Sequence, residues 1–168
     1  MPTNPFTKTA LTGLFVLFSI ILRAQSKSDT VAVQTIIQDE VVAWNKGDAA
    51  EYSRQFAKEG TFTNIQGMFF VGQNVFIDRH DLIFKGVFNK TVLQQKMVSL
   101  KFIRPDVAIV ETLSIVSGLV GSPPPGAHLD AKGQLYTRLL QVIVKDAGDW
   151  KIVTYHNVDV KPGIPIPE

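Results

Sequence analysis

The chain has 168 residues, 17 basic against 15 acidic side chains, 45% hydrophobic content and no cysteine. That length suits one ordinary domain. Without cysteine there are no disulfides, no thiol nucleophile and no thiolate metal site, so stability must come from an apolar core, for which eleven phenylalanines are available.

Lys8 precedes an apolar run from Ala10 to Leu22, which closes at Leu22-Arg23-Ala24. A basic start, an apolar centre and a small residue at the cut predict a secretory signal peptide over 1–24. About 13 apolar residues fall short of the roughly 20 that span a bilayer, so no stable membrane anchor is expected after cleavage. The mature chain then starts at Gln25 and is exported, to a periplasm or beyond. Lys8 and Arg23 leave with the leader, so fifteen basic residues face fifteen acidic ones. No basic stripe remains to bind a nucleic acid.

Residues 29–46 predict a helix, with Val33, Ile36, Ile37, Val41 and Trp44 at three- and four-residue steps. Gly47 ends it. Asp48, with Glu51 three residues on, opens a second helix that places Tyr52 and Phe56 on one buried side and closes at Gly60. Thr61-Phe62-Thr63-Asn64 and Met68–Val71 are short strands, and a third helix runs from Gln73 to Phe84, stopped by Gly86. Four long strands follow: 91–103, 107–119, 134–145 and 150–160. The loop Gly121-Ser122-Pro123-Pro124-Pro125-Gly126 cannot pair in a sheet and is placed as a mouth or lid. A single domain over 25–161 and an extended Pro-rich tail, 162–168, complete the chain. Helices at the front and antiparallel strands at the back give an α+β layer fold.

The succession Trp44-Asn45-Lys46-Gly47-Asp48, Phe56-Ala57-Lys58-Glu59-Gly60, Gly72 ahead of His80, Arg104-Pro105-Asp106-Val107-Ala108, Thr137-Arg138 and Trp150-Lys151-Ile152…His156-Asn157 resembles the SnoaL-like, SgcJ/EcaC branch of the nuclear transport factor 2-like superfamily. The resemblance covers residues 30–160. It implies a cone-shaped curved sheet wrapped around three helices (a cystatin-like α+β architecture), a homodimer through the sheet and a pocket in the cone. Together with the leader it implies a bacterial source. It does not imply one reaction, because the superfamily includes isomerases, cyclases, dehydratases and binding modules.

Several residues then stand out. On the third helix, Asp78, Asp81 and Lys85 share a polar arc, while Arg79 and His80 fall among the apolar residues. His80 is either a satisfied core residue or a proton-transfer group; Arg79 is expected to snorkel to water. Glu40 projects among Ile36, Ile37, Ala43 and Trp44. It is either an acid of raised pKa or the partner of a basic residue. Arg138 shares a strand face with Leu140, Val142 and Val144. Three aliphatics mark that face as the inner one, where the guanidinium meets either Glu40 or Glu111 or a ligand anion.

If Lys145 pairs with Trp150, Asn157 joins the Arg138 face; a one-residue slip brings His156 there instead. Trp44, Tyr52, Phe56, Phe62 and Phe84 supply apolar walls, with Asn64 beside them. There is no Gly-rich phosphate loop and no metal-ligand spacing, so no cofactor and no metal is expected, although His80, His128 and His156 remain available to converge. Three functions follow: an exported binding domain for a small organic ligand; a cofactor-independent acid–base isomerase, cyclase or dehydratase, with His80 or Glu40 moving the proton and Arg138 holding an oxyanion; or a dimeric interaction module.

Overall fold

A computed structural model describes residues 27–166. The expected leader, 1–24, and the last two residues of the tail lie outside the described residues. Helix α1 (27–46) buries Val33, Ile36, Ile37, Glu40 and Ala43, spaced so that they share one face. Buried Asp29 at its start accepts from Lys145 Nζ (2.7 Å) and Trp150 Nε1 (3.2 Å), which ties the helix to the last hairpin. Asp48 caps α2 (Ala49–Tyr52) by accepting from Glu51 N at 2.9 Å.

The second helix does not continue to Gly60. Ser53 turns both its hydroxyl and its backbone N–H onto the Ala49 carbonyl. The Gln55 carbonyl accepts from Ile152 N at 2.8 Å, and the chain enters a sheet. Strand β1 (Phe56–Thr63) thus starts at the residue expected to end a helical turn. Its partner is the last strand, far away in sequence, so the local period carried no sign of it. Gly60 is a place of close approach: a Cβ there would lie 2.7 Å from Phe56 Cε1. It falls where the β1 register shifts, between Phe56 and Thr61.

The remaining elements follow the sequence expectation within two residues: β2 (Phe69–Val71), α3 (Gln73–Lys85), β3 (Val92–Arg104), β4 (Val107–Ser117), β5 (Leu135–Asp146) and β6 (Asp149–Asp159). The six strands form one mixed sheet in the order β2-β1-β6-β5-β4-β3, parallel only between β1 and β6. The result is an α+β fold, with three helices packed on one face of the sheet. At 162–166 the tail is exposed and contains a turn, closed by Ile164 N donating to Lys161 O.

Two observations fix the inner face. Ala108, Val110, Thr112, Ser114 and Val116 of β4 are buried, and opposite them stand buried Ile143, Gln141, Leu139, Thr137 and Leu135 of β5. Arg138, Leu140, Val142 and Val144 therefore lie on the outer face, against the expectation from their aliphatic character. The β5–β6 hairpin turns at Ala147-Gly148, both at positive φ (48° and 96°), as a tight two-residue loop requires. Lys145 does pair with Trp150, but a bulge intervenes: Ile143 faces Ile152 while Val142 faces Thr154. From there on the faces exchange. Asn157 sits opposite Leu139 on the inner side, and His156 opposite Leu140 on the outer side.

Phe56 is 1% exposed and stacked on Phe76 at 4.1 Å, so it has little room to yield. Gly60→Ala is expected to destabilise the fold by about 1–3 kcal/mol through overpacking, read as a lowered midpoint in urea denaturation with an unchanged m-value.

Candidate functional site

A cavity of about 400 Å³ lies between the helices and the sheet, lined by residues of both apolar clusters of the core. Trp44, Tyr52 and Phe62 come from the larger cluster or its border, and Phe88, Leu93, Val116 and Leu135 from the smaller. Trp44 is held by its indole N–H, which donates to Thr91 Oγ1 at 3.0 Å. Its rim includes exposed Leu82 and Gln66 and the loop residues Ser122 to Pro125. The loop is tethered nearby. Lys161 Nζ donates to Gly126 O (3.2 Å) and to buried Asp159 Oδ2 (2.9 Å), and His128 Nδ1 lies 3.0 Å from that same oxygen.

His80 lines this cavity and is only 4% exposed. The Phe76 carbonyl, 2.8 Å away, accepts from Nδ1, which fixes the tautomer and leaves Nε2 as the unprotonated nitrogen. No hydrogen bond from a described residue reaches Nε2. Burial lowers the pKa of the ring to about 4, the Phe76 hydrogen bond opposes this, and the neighbouring Arg79 charge adds to the lowering. At neutral pH the ring is an uncharged acceptor.

Behind the cavity wall sits Glu40, 3% exposed and not itself a lining residue. Its partner is an amide, not a base: Gln141 Nε2 donates to Oε1 at 2.8 Å. Burial raises its pKa to about 8, only partly offset by that hydrogen bond. Oε2 of Glu40 and Oε1 of Gln141 are both buried without a partner. A protonated Glu40 has a hydroxyl to donate, and the amide has an unused acceptor. Tyr52 and Tyr155, joined hydroxyl to hydroxyl at 2.9 Å, both line the cavity. Burial raises the pKa of each, and Glu40 pushes both the same way.

The expected site residues thus divide. Trp44, Tyr52, Phe62, Asn64, His80 and Asn157 line one cavity. Asn64 spends its side-chain oxygen on the β1–β2 turn, accepting from Gln66 N and Met68 N at 3.0 Å each. Phe56 and Phe84 lie behind the wall, stacked on Phe76 and edge-on to Trp44. Arg138, Glu111 and His156 lie on the outer face, where Arg138 Nη1 approaches Glu111 Oε1 at 3.9 Å. The three histidines do not converge, and no group of described residues has the makings of a metal site.

Residues not foreseen include Tyr155, Gln95, Ser114, Thr137 and Arg79. Arg79, expected to snorkel, is half-buried and lines the cavity, with its guanidinium 5.7 Å from the centre of the Phe70 ring. Nε of Arg79, Oε1 of Gln95 and Oδ1 of Asn157 are buried without a partner.

No protein-family model matches the sequence, and no curated protein is similar to it. Solved structures do share the fold. A domain of unknown function with a cystatin-like fold from Nostoc punctiforme superposes with a TM-score of 0.67 at 19% identity, over 81% of this chain and 80% of that one. A putative scytalone dehydratase from Novosphingobium aromaticivorans gives 0.68 at 13% identity, over 83% and 89%. A hexachlorocyclohexane dehydrochlorinase, LinA type 2, gives 0.67 at 11% identity, over 84% and 99%. The chain therefore has the nuclear transport factor 2-like, cystatin-like fold. At these identities the likeness extends to the fold alone.

Because the native state keeps a proton on Glu40 that the unfolded chain releases above its ordinary pKa of 4.5, the contribution of Glu40 to stability falls as pH rises from about 4.5 to about 8, and above about 6.5, where His80 no longer opposes it, this shows as a net fall. The accumulated loss is on the order of a few kcal/mol. Glu40→Gln keeps the shape and one hydrogen-bonding oxygen without the titration. Its urea-unfolding free energy, measured from pH 6.5 to 8.5, is expected to lack the downward slope of the wild type.

Proposed function

We propose that this is an exported domain of the SnoaL-like, SgcJ/EcaC branch that binds a small, partly apolar organic ligand between its helices and its sheet. The observation that carries this reading is the cavity of about 400 Å³, walled by aromatics and edged by side chains that leave hydrogen-bonding atoms unused. That volume falls at the small end of ligand pockets, and the mixture of lining residues is the usual one. The branch assignment rests on the motif order set out above, and export on the 1–24 leader. A sheet-face homodimer is supported by the outer face, where Leu140 and Val158 are 38% and 54% exposed beside the Arg138–Glu111 pair.

Native mass spectrometry of protein purified from expressing bacterial cells tests all three parts at once. The expected species is a dimer whose chains begin at Gln25 and carry a non-covalent adduct of a few hundred daltons, a drug-sized mass. Ser114→Phe, which fills the cavity from its wall, is expected to lose the adduct. Wild-type protein that shows no adduct and gains no thermal stability from millimolar 2-naphthol would remove the ligand-binding reading.

A second reading is favoured by one observation, the fixed tautomer of His80 with Nε2 free at the cavity. In it the domain is a cofactor-independent acid–base enzyme, an isomerase, cyclase or dehydratase. Nε2 removes a proton from the bound ligand, and the Tyr52–Tyr155 pair donates toward the oxygen that gains charge. The dehydratase and dehydrochlorinase names among its structural neighbours are compatible with such chemistry. The base form is the unprotonated ring, so kcat/KM should stay level down to about pH 4 and fall below it, instead of falling near 6.5. His80→Gln should cut turnover by about 10²–10⁴-fold. An acid limb near 6.5 in the pH–rate profile would rule out the buried ring as the base.

A further inference from the structure

The charge of the cavity wall narrows the ligand class. Among the lining residues only Arg79 carries a formal charge at neutral pH; no aspartate, glutamate or lysine stands with it, and His80 is uncharged. Arg79 forms no ion pair or hydrogen bond with any described residue. The two acids nearest it on α3 do not help: Asp81 is bound to Lys85, and Asp78 is exposed and makes no salt bridge. The guanidinium is nonetheless held in place, half-buried over the Phe70 ring. A partly desolvated cation with no protein counter-charge, its Nε buried and unpartnered, is completed by something of opposite sign. Its field is already felt in the cavity, because it contributes to the lowered pKa of His80. The rest of the wall is largely apolar, with the rings of Trp44, Phe62 and Phe88 beside Leu93 and Leu135.

We infer that the natural ligand is a small organic anion, a carboxylate carried on a planar apolar body, with Arg79 as the cation that recognises it. This rests on the ligand-binding reading above and adds to it the charge of the ligand and the residue that selects it. Arg79 suits the task because a guanidinium offers two parallel N–H donors to a carboxylate, and burial strengthens that pairing relative to water. The unpartnered acceptors of Gln95 and Asn157 belong to the same wall and suit a hydroxyl or amide donor on the same molecule.

The test uses two probes of nearly equal shape, 2-naphthoate and its neutral counterpart 2-naphthamide, titrated at pH 7.5 and followed by tryptophan fluorescence and calorimetry. Wild-type protein is expected to bind the carboxylate about tenfold to a hundredfold more tightly than the amide. In Arg79→Met the ratio of the two affinities should fall to near one. In Arg79→Lys, which keeps the charge but loses the fork, part of the preference should remain. Equal affinities in the wild type would overturn the anion inference and leave the ligand-binding reading standing. A preference that survives in Arg79→Met would overturn the assignment to Arg79. Failure of both probes to bind at millimolar concentration would take down the ligand-binding reading and this inference with it. The wild-type comparison and the lysine variant keep the test decisive if the methionine variant does not fold.

Discussion

One extra residue in β6 determines what the cavity is made of. Between Ile152 and Thr154 the strand carries Val153 without a counterpart on β5, and the alternation of side chains reverses beyond it. Because the strand period is two, this single insertion exchanges every later residue between faces. Tyr155 turns inward, where its hydroxyl meets Tyr52, and Asn157 follows it to the cavity wall. Without the bulge, His156 and Val158 would face the helices, and Tyr155 would be outside with no partner for its hydroxyl. The parallel pairing with β1 depends on the same stretch, since Thr61, Phe62 and Thr63 stand opposite Thr154, Tyr155 and His156.

The helices bring two ionisable groups, Glu40 and His80, into the buried interior, and both lose their charge there. Glu40 holds its proton to about pH 8, and His80 stays unprotonated down to about pH 4. In both the larger cause is desolvation, and it acts in opposite directions on an acid and a base. The two do not form an ion pair; Glu40 is bonded to Gln141 and His80 to the Phe76 carbonyl. Among the residues that line the cavity Arg79 alone is charged, which makes that one guanidinium the dominant electrostatic feature offered to anything that enters.

How far the sequence revealed this follows from where each signal was local. The order of elements, the limits of α3 and the four long strands were legible because their periodicities and their Gly and Pro boundaries are local. Burial of Glu40 and His80 was legible on a helical wheel for the same reason. The β1 start at Phe56 was not, because it rests on pairing with β6. Arg138 was misplaced because both faces of β5 carry aliphatic residues: counting them favoured the even positions, whereas the odd ones, with Thr137 and Gln141, are buried. The better signal was charge, since an arginine is seldom fully buried while threonine and glutamine can be satisfied inside. Arg79 shows the converse, a charged residue on an apolar arc that stays at the cavity. Only the position of that arc relative to the void distinguishes this from snorkelling.

The two neutralised groups also bear on why such a core persists. The signs are opposite. The unfolded chain gains protons on His80 below about 6.5 that the native state refuses, so stability declines toward pH 4. The native state retains on Glu40 a proton that the unfolded chain releases above 4.5, so stability declines toward pH 8. Across the interval between those ordinary pKa values both penalties act together, and at neutral pH that of Glu40 persists alone. An apolar side chain of similar size at position 40, with a matching change at Gln141, would avoid it at no loss of packing. Packing economy therefore does not account for the pair. What the acid and amide do provide is a polar backing directly behind Tyr155, whose hydroxyl, with that of Tyr52, forms part of the cavity wall. Burial is the main cause of the raised pKa of both tyrosines, and Glu40 adds to it in the same direction.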